Sequence, residues 1–187
     1  MVDSISTPLP SAWVERFAPL VSEGGTVLDV ACGSGRHAAL FVRLGHRVTA
    51  VDRDISRLAG TAGMEAIEAD LEDGTPWPLP GCRFDGIVVT NYLHRPLFPV
   101  LVDSLAPGGV LIYETFALGN EKFGRPRDPE FLLRDNELLD LCVGKLTVIA
   151  YEGGVVDRPA PAVIQRIVAV APKPDADAGP VAIPQPV

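Results

Sequence analysis

A chain of 187 residues is long enough for one domain with its own buried core and too short for two full ones. Its 47% hydrophobic and 21% charged residues are globular rather than disordered in character. With 16 Lys+Arg against 24 Asp+Glu the net charge is −8, a field that repels phosphate backbones and disfavours broad nucleic-acid binding.

Taken in chain order, Trp13, Phe17, Leu20 and Val21 fall at helical spacing behind Ser11, which predicts an amphipathic helix over residues 10–21. After Gly24-Gly25, the apolar run 26–31 reads as a buried strand that meets Gly33-Ser34-Gly35 at once. Residues 36–44 follow as a helix ended by Gly45, then a strand over 47–51 closing on Asp52. Asp54 or Ser56 can cap a helix to about residue 62, and 64–69 reads as a third strand ending in Asp70.

Residues 71–83 contain Gly74, Pro76, Pro78, Pro80 and Gly81, which forbid a long helix. A fourth strand spans 84–90, a helix runs from Pro96 to about Leu105, and a fifth strand covers 110–116 after Pro107-Gly108-Gly109. Residues 117–130 are a breaker-rich loop that reads as a lid. A helix over 131–142, a strand over 146–151, a break at Gly153-Gly154 and a last strand over 162–170 complete the pattern. The pattern describes one domain, residues 1–170, followed by a Pro/Ala-rich disordered tail, 171–187.

Cys32, Cys82 and Cys142 match no zinc or redox spacing, so they read as reduced thiols and no metal is expected. Without a signal-peptide pattern or a membrane-length apolar run, the expectation is a cytoplasmic monomer or homodimer with no membrane contact.

The strand, Gly-x-Gly turn and helix form a geometry in which backbone approaches a cofactor at a helix N-terminus. Gly33, Gly35 and Ala38 also satisfy the dinucleotide fingerprint, so a nicotinamide-dependent oxidoreductase competes at this point. Asp29, inside the first strand, is expected to face the pocket. There its carboxylate would repel a pyrophosphate and attract a cationic ligand, which favours S-adenosylmethionine. Asp52 is placed to accept from ribose hydroxyls, and Asp70 stands where an adenine amino group could lie.

In the order and spacing of Val27-Leu-Asp29-Val-Ala-Cys-Gly33-Ser-Gly35, Val51-Asp52, Glu68-Ala-Asp70-Leu71, Phe84-Asp-Gly-Ile-Val-Val and Leu105-Ala-Pro107-Gly108-Gly109, the chain resembles the class I S-adenosylmethionine-dependent methyltransferases over about residues 10–170. More loosely, it is similar to the small tellurite-resistance-type bacterial members. The resemblance implies a Rossmann-like, doubly wound α/β sheet of seven strands, mostly parallel with an antiparallel last strand. It also implies S-adenosylmethionine as cofactor and S-adenosylhomocysteine as product. Cofactor contacts would fall at Asp29, Ala31, Gly33, Gly35, Asp52, Arg53, Asp70 and Leu71, with Asn91 near the methionine end.

Strand four runs into Thr90-Asn91-Tyr92-Leu93-His94 and lacks the Asn/Asp-Pro-Pro-Tyr/Phe motif of nucleobase amino-group methylases. The cysteines have no reason to converge as they do in arsenic methyltransferases. The short crossover over residues 71–83 and the lack of any large insertion leave little protein to hold a macromolecular substrate, so a small-molecule acceptor is expected, with a non-catalytic S-adenosylmethionine sensor as the non-enzyme alternative. Tyr92 and His94 lie where an acceptor could be oriented or deprotonated, although His94 equally suits a capping or solvent-facing position. Arg125 and Arg127 could clamp an acidic acceptor by bidentate bonds, or solubilise the loop.

Overall fold

The computed structural model describes residues 9–58, 63–173 and 181–185. Seven strands, β1 (Thr26–Val30), β2 (Arg47–Asp52), β3 (Met64–Glu68), β4 (Phe84–Thr90), β5 (Leu105–Phe116), β6 (Thr147–Val156) and β7 (Ala162–Val170), form one sheet in the order β3-β2-β1-β4-β5-β7-β6. Strands β1 to β5 pair in parallel, and β7 is antiparallel to both β5 and β6. Chain order reverses where β1 lies between β2 and β4. In such sheets the crevice for a ligand opens at that switch point, beyond the carboxyl ends of the strands.

Side chains alternate across the strands with a period of two and separate two apolar layers. Leu28, Val30, Val89, Leu111 and Tyr113 face helices α3 (Phe98–Asp103) and α4 (Glu137–Cys142), through Leu101, Leu138 and Leu141. Val27, Val88, Val110 and Ile112 face α1 (Ala12–Phe17) and α2 (Arg36–Arg43), through Trp13, Phe17 and Phe41. Ser11 caps α1, its Oγ accepting from the Trp13 amide at 3.1 Å. The helix then tightens into a 3₁₀ turn containing Pro19, shorter than the span its periodicity predicts.

Three other elements depart from the sequence reading. The helix expected over 131–142 is confined to α4, because Asn136 adopts a left-handed φ of 61° and Leu133 pairs like a strand. The Leu133 amide donates to the Phe116 carbonyl at 2.9 Å, and its carbonyl accepts from the Leu118 amide at 2.9 Å. The break expected at Gly153-Gly154 is absent, since β6 keeps its pairing with β7 through both glycines. After Asp54 there is a 3₁₀ turn, Ile55–Leu58, and the remainder of the expected helix lies outside the described residues.

Much of the expected tail also lies outside the described residues. Within the described part, the Ala171 amide donates to the Gly109 carbonyl at 2.8 Å, so pairing runs one residue past the expected domain end. The Pro184 carbonyl accepts from Arg16 Nε at 2.9 Å.

Candidate active site

At the carboxyl ends of the parallel strands lies a cleft of about 500 Å³, and its two walls differ in chemistry. The wall contributed by β1, β2 and β3 carries Ala31, Asp52, Arg53, Asp70 and Leu71, with Ala69 and Glu72 beside them. The opposite wall, from β4, β5 and the following loop, carries Asn91, Tyr92, Leu93, Thr115, Phe116, Pro126 and Phe131. Seven of the expected site residues, Ala31, Asp52, Arg53, Asp70, Leu71, Asn91 and Tyr92, are thus brought together.

The turn after β1 is shaped by successive left-handed residues: Ala31 at φ 51°, Gly33 at 56° and Gly35 at 73°. Asn91, at the end of β4, is held at φ 54°. Ala31 and Asn91 are non-glycine residues in this region, a strain that tends to collect at functional sites. Neither Gly33 nor Gly35 lines the cleft itself. A Cβ on Gly35 would stand 2.5 Å from Leu58 Cδ2, whereas one on Gly33 would meet nothing within 4 Å. The Asp52 carboxylate holds the turn, with Oδ2 accepting from the Gly33 amide at 2.8 Å and Oδ1 from the Asp54 amide at 3.0 Å.

Asp29 does not face the cleft. It shares strand parity with Val27, so its carboxylate turns toward α2, where Oδ2 accepts from the Ala38 amide at 2.9 Å. Burial pushes its carboxyl up to about 7, with Asp52 adding to the rise and the Ala38 bond and Arg36 opposing it. His37 is also buried, between the Ser11 amide (3.1 Å from Nε2) and Thr90 Oγ1 (3.2 Å from Nδ1). Burial, then the charge of Arg36, holds it neutral, with a pKa of about 3.

The Tyr92 hydroxyl is buried at the cleft and has no hydrogen-bond partner within the protein. Burial, and after it the carboxylate of Glu72, pushes its pKa up, so it remains protonated. His94 is half-buried at the start of a 3₁₀ turn and does not line the cleft. Arg125 and Arg127 are exposed and also stand off it, although Pro126 between them lines it.

The loop expected to be a lid is anchored at two points. The buried Asn120 side chain accepts from the Val163 amide and donates to the Pro126 carbonyl, each at 3.2 Å. Arg95 grips the carbonyls of Glu130 (2.8 Å) and Leu132 (2.9 Å) while pairing with Glu137 at 2.6 and 3.0 Å. Sequence reasoning missed these residues and the aromatic wall of Phe116 and Phe131. Only the position of Arg95 directly after Tyr92-Leu93-His94 could have drawn attention to it.

Residues 27–109 match a family model described as a methyltransferase domain. The fold aligns with TehB from Haemophilus influenzae at a TM-score of 0.74 and 19% identity, covering 89% of this chain and 64% of that one. Residues 27–109 are thus similar to methyltransferase domains, and the fold is one that TehB shares. Among curated relatives of this chain is the protein-L-isoaspartate O-methyltransferase of Chlorobaculum tepidum. It is 35% identical over 126 residues, which take in 64% of this chain and 58% of that protein. The glycopeptide N-methyltransferase MtfA, solved with S-adenosylhomocysteine, aligns at a TM-score of 0.61 and 19% identity, covering 88% of this chain and 91% of that one. The chain spans little more than half of the isoaspartate methyltransferase's length. Among the described residues, no helix is long and apolar enough to cross a membrane.

Proposed function

We propose that this protein transfers a methyl group from S-adenosylmethionine to a small-molecule acceptor bound in the cleft. The observation that carries the reading is Asp52, a carboxylate at the end of β2 that lines the cleft and also fastens the glycine turn through Gly33. A ribose presented there would find a charged acceptor already oriented by the turn it serves. The cofactor reading is further supported by the buried, unpartnered hydroxyl of Tyr92 and by the open space in front of Gly33. The match of residues 27–109 to a methyltransferase domain and the S-adenosylhomocysteine in MtfA support the same reading.

Charge separates this donor from a dinucleotide. Asp52, Asp70 and Glu72 outnumber Arg53 on the first wall, which suits a cationic ligand and opposes a pyrophosphate. Asp52 would hold the ribose, Asp70 and Leu71 the adenine end, and Asn91 the methionine end, with Ala31, Gly33 and Gly35 shaping the turn. Asp29 would act from beneath by fixing the first turn of α2.

When bound, S-adenosylmethionine would supply a methyl group already activated by a sulfonium leaving group. The remaining work is alignment and exclusion of water. Tyr92 would orient the acceptor as a neutral donor, since its hydroxyl keeps its proton. His94, off the wall in this structure, would have to reach the acceptor to serve as a base. A cleft of about 500 Å³ suits a small molecule beside or following the cofactor. The test is a labelled-methyl screen over small-molecule and protein fractions. Label in the small-molecule fraction is expected; label confined to protein, or none at all, contradicts the reading.

A further inference from the structure

The wall opposite the carboxylates has no charged side chain. Its polar groups are the Asn91 amide, the Thr115 hydroxyl and the Tyr92 hydroxyl, and the rest is apolar or aromatic. Phe131 is 45% exposed although it lines the cleft, and Phe116, which lines it too, is half-buried. An aromatic surface left this open is apolar area available to a ligand.

An anion seated against this wall would lose water without gaining a counter-charge, and the facing wall of Asp52, Asp70 and Glu72 would repel it. Arg125 and Arg127, the cations nearest in sequence, are exposed and stand off the cleft. An uncharged ring meets neither penalty. It can stack on Phe116 and Phe131 and hydrogen-bond to a tyrosine hydroxyl that has no partner within the protein.

We propose that the acceptor is an uncharged small molecule with an apolar, ring-sized body, seated on Phe116, Pro126 and Phe131 with its polar group at the Tyr92 hydroxyl. This rests on the cofactor reading above and deepens it, because the carboxylate wall is then occupied by the donor. Specificity against anions resides in the absence of charge on the acceptor wall. Affinity comes from two aromatic rings, which the anchors at Arg95 and Asn120 hold in position.

The test compares 2-naphthol with 2-naphthoate, the same ring with and without a negative charge, by calorimetric titration at pH 7. Both titrations are run on the full chain with and without saturating S-adenosylhomocysteine. The naphthol should bind at least tenfold more tightly than the carboxylate. Phe131→Ala, at a position exposed enough to spare the fold, should weaken the naphthol at least fivefold while S-adenosylhomocysteine affinity is retained. Tyr92→Phe, which keeps the ring, should also weaken the naphthol. Equal or tighter binding of naphthoate, no naphthol binding, or wild-type affinity in Phe131→Ala would overturn the proposal. Failure of S-adenosylhomocysteine to bind would instead count against the cofactor reading, and the ratio of naphthol to naphthoate is still read in its absence.

Discussion

The main-chain N–H of Gly33 donates to Oδ2 of Asp52 at 2.8 Å, so the carboxylate proposed to receive the ribose also holds the glycine turn in shape. Charge-assisted bonds of this kind contribute roughly 1.5 to 3 kcal/mol each. Asp52→Ala removes the tether and the ribose contact together. It should weaken S-adenosylhomocysteine at least about tenfold, measured calorimetrically in a folded variant. An unchanged dissociation constant would remove Asp52 from the pocket.

Gly33 and Gly35 predict different failures. At Gly33 a Cβ meets no protein atom, so Gly33→Val carries the backbone strain of a β-branched residue at φ 56° without a clash and should leave a soluble protein whose distorted turn no longer binds cofactor. At Gly35 the added Cβ runs into Leu58, so Gly35→Ala should lower the melting temperature even without ligand. Cofactor binding retained in Gly33→Val would contradict the position assigned to the turn.

Glu137 is 7% exposed; burial favours its protonation, but bonds from Arg95 and Arg134 outweigh that and hold its pKa at about 2. A carboxyl depressed on folding stabilises the native state above the unfolded pKa and loses that contribution as pH falls toward the folded one. Glu137→Gln should cost about 3 kcal/mol at pH 7 by urea unfolding, the low end for breaking a buried pair because Arg95 is partly exposed. The difference from wild type should shrink between pH 5 and 2. A constant difference across that window would show that the ion pair is not its source.

Asp29 has the opposite linkage. Its carboxyl is raised on folding to about 7, so the native state keeps a proton that the unfolded chain releases near pH 4. Stability is then lost as pH rises from about 4 to 7. Asp29→Asn retains an acceptor for the Ala38 amide and removes the buried charge, so it should be stable relative to wild type at pH 8 and lose that advantage at pH 5. Parallel pH profiles for the two proteins in urea unfolding would refute the assignment.

The first half of the fold was legible because each element has its own local signal. The apolar run before Gly33, the strand ending in Asp52 and the prolines of residues 71–83 all read correctly without tertiary information. The direction of Asp29 was legible too, in its alternation with Leu28 and Val30, but the attraction of a carboxylate near a glycine loop outweighed that pattern. The acceptor wall was not legible. Phe116 and Phe131 are separated in sequence and come to line one cleft where Leu133 pairs with Phe116 and Arg95 binds carbonyls some 35 residues away. The same pairing, with left-handed Asn136, cuts short a helix that residues 131–142 would favour by periodicity.

The central claim is that the cleft takes S-adenosylmethionine, and titration of the wild-type protein with S-adenosylhomocysteine and separately with NAD tests it most directly. The account predicts saturable binding of about one S-adenosylhomocysteine per chain, competed by S-adenosylmethionine, and no measurable binding of NAD. Saturable NAD binding in a protein that does not take up S-adenosylhomocysteine would contradict it.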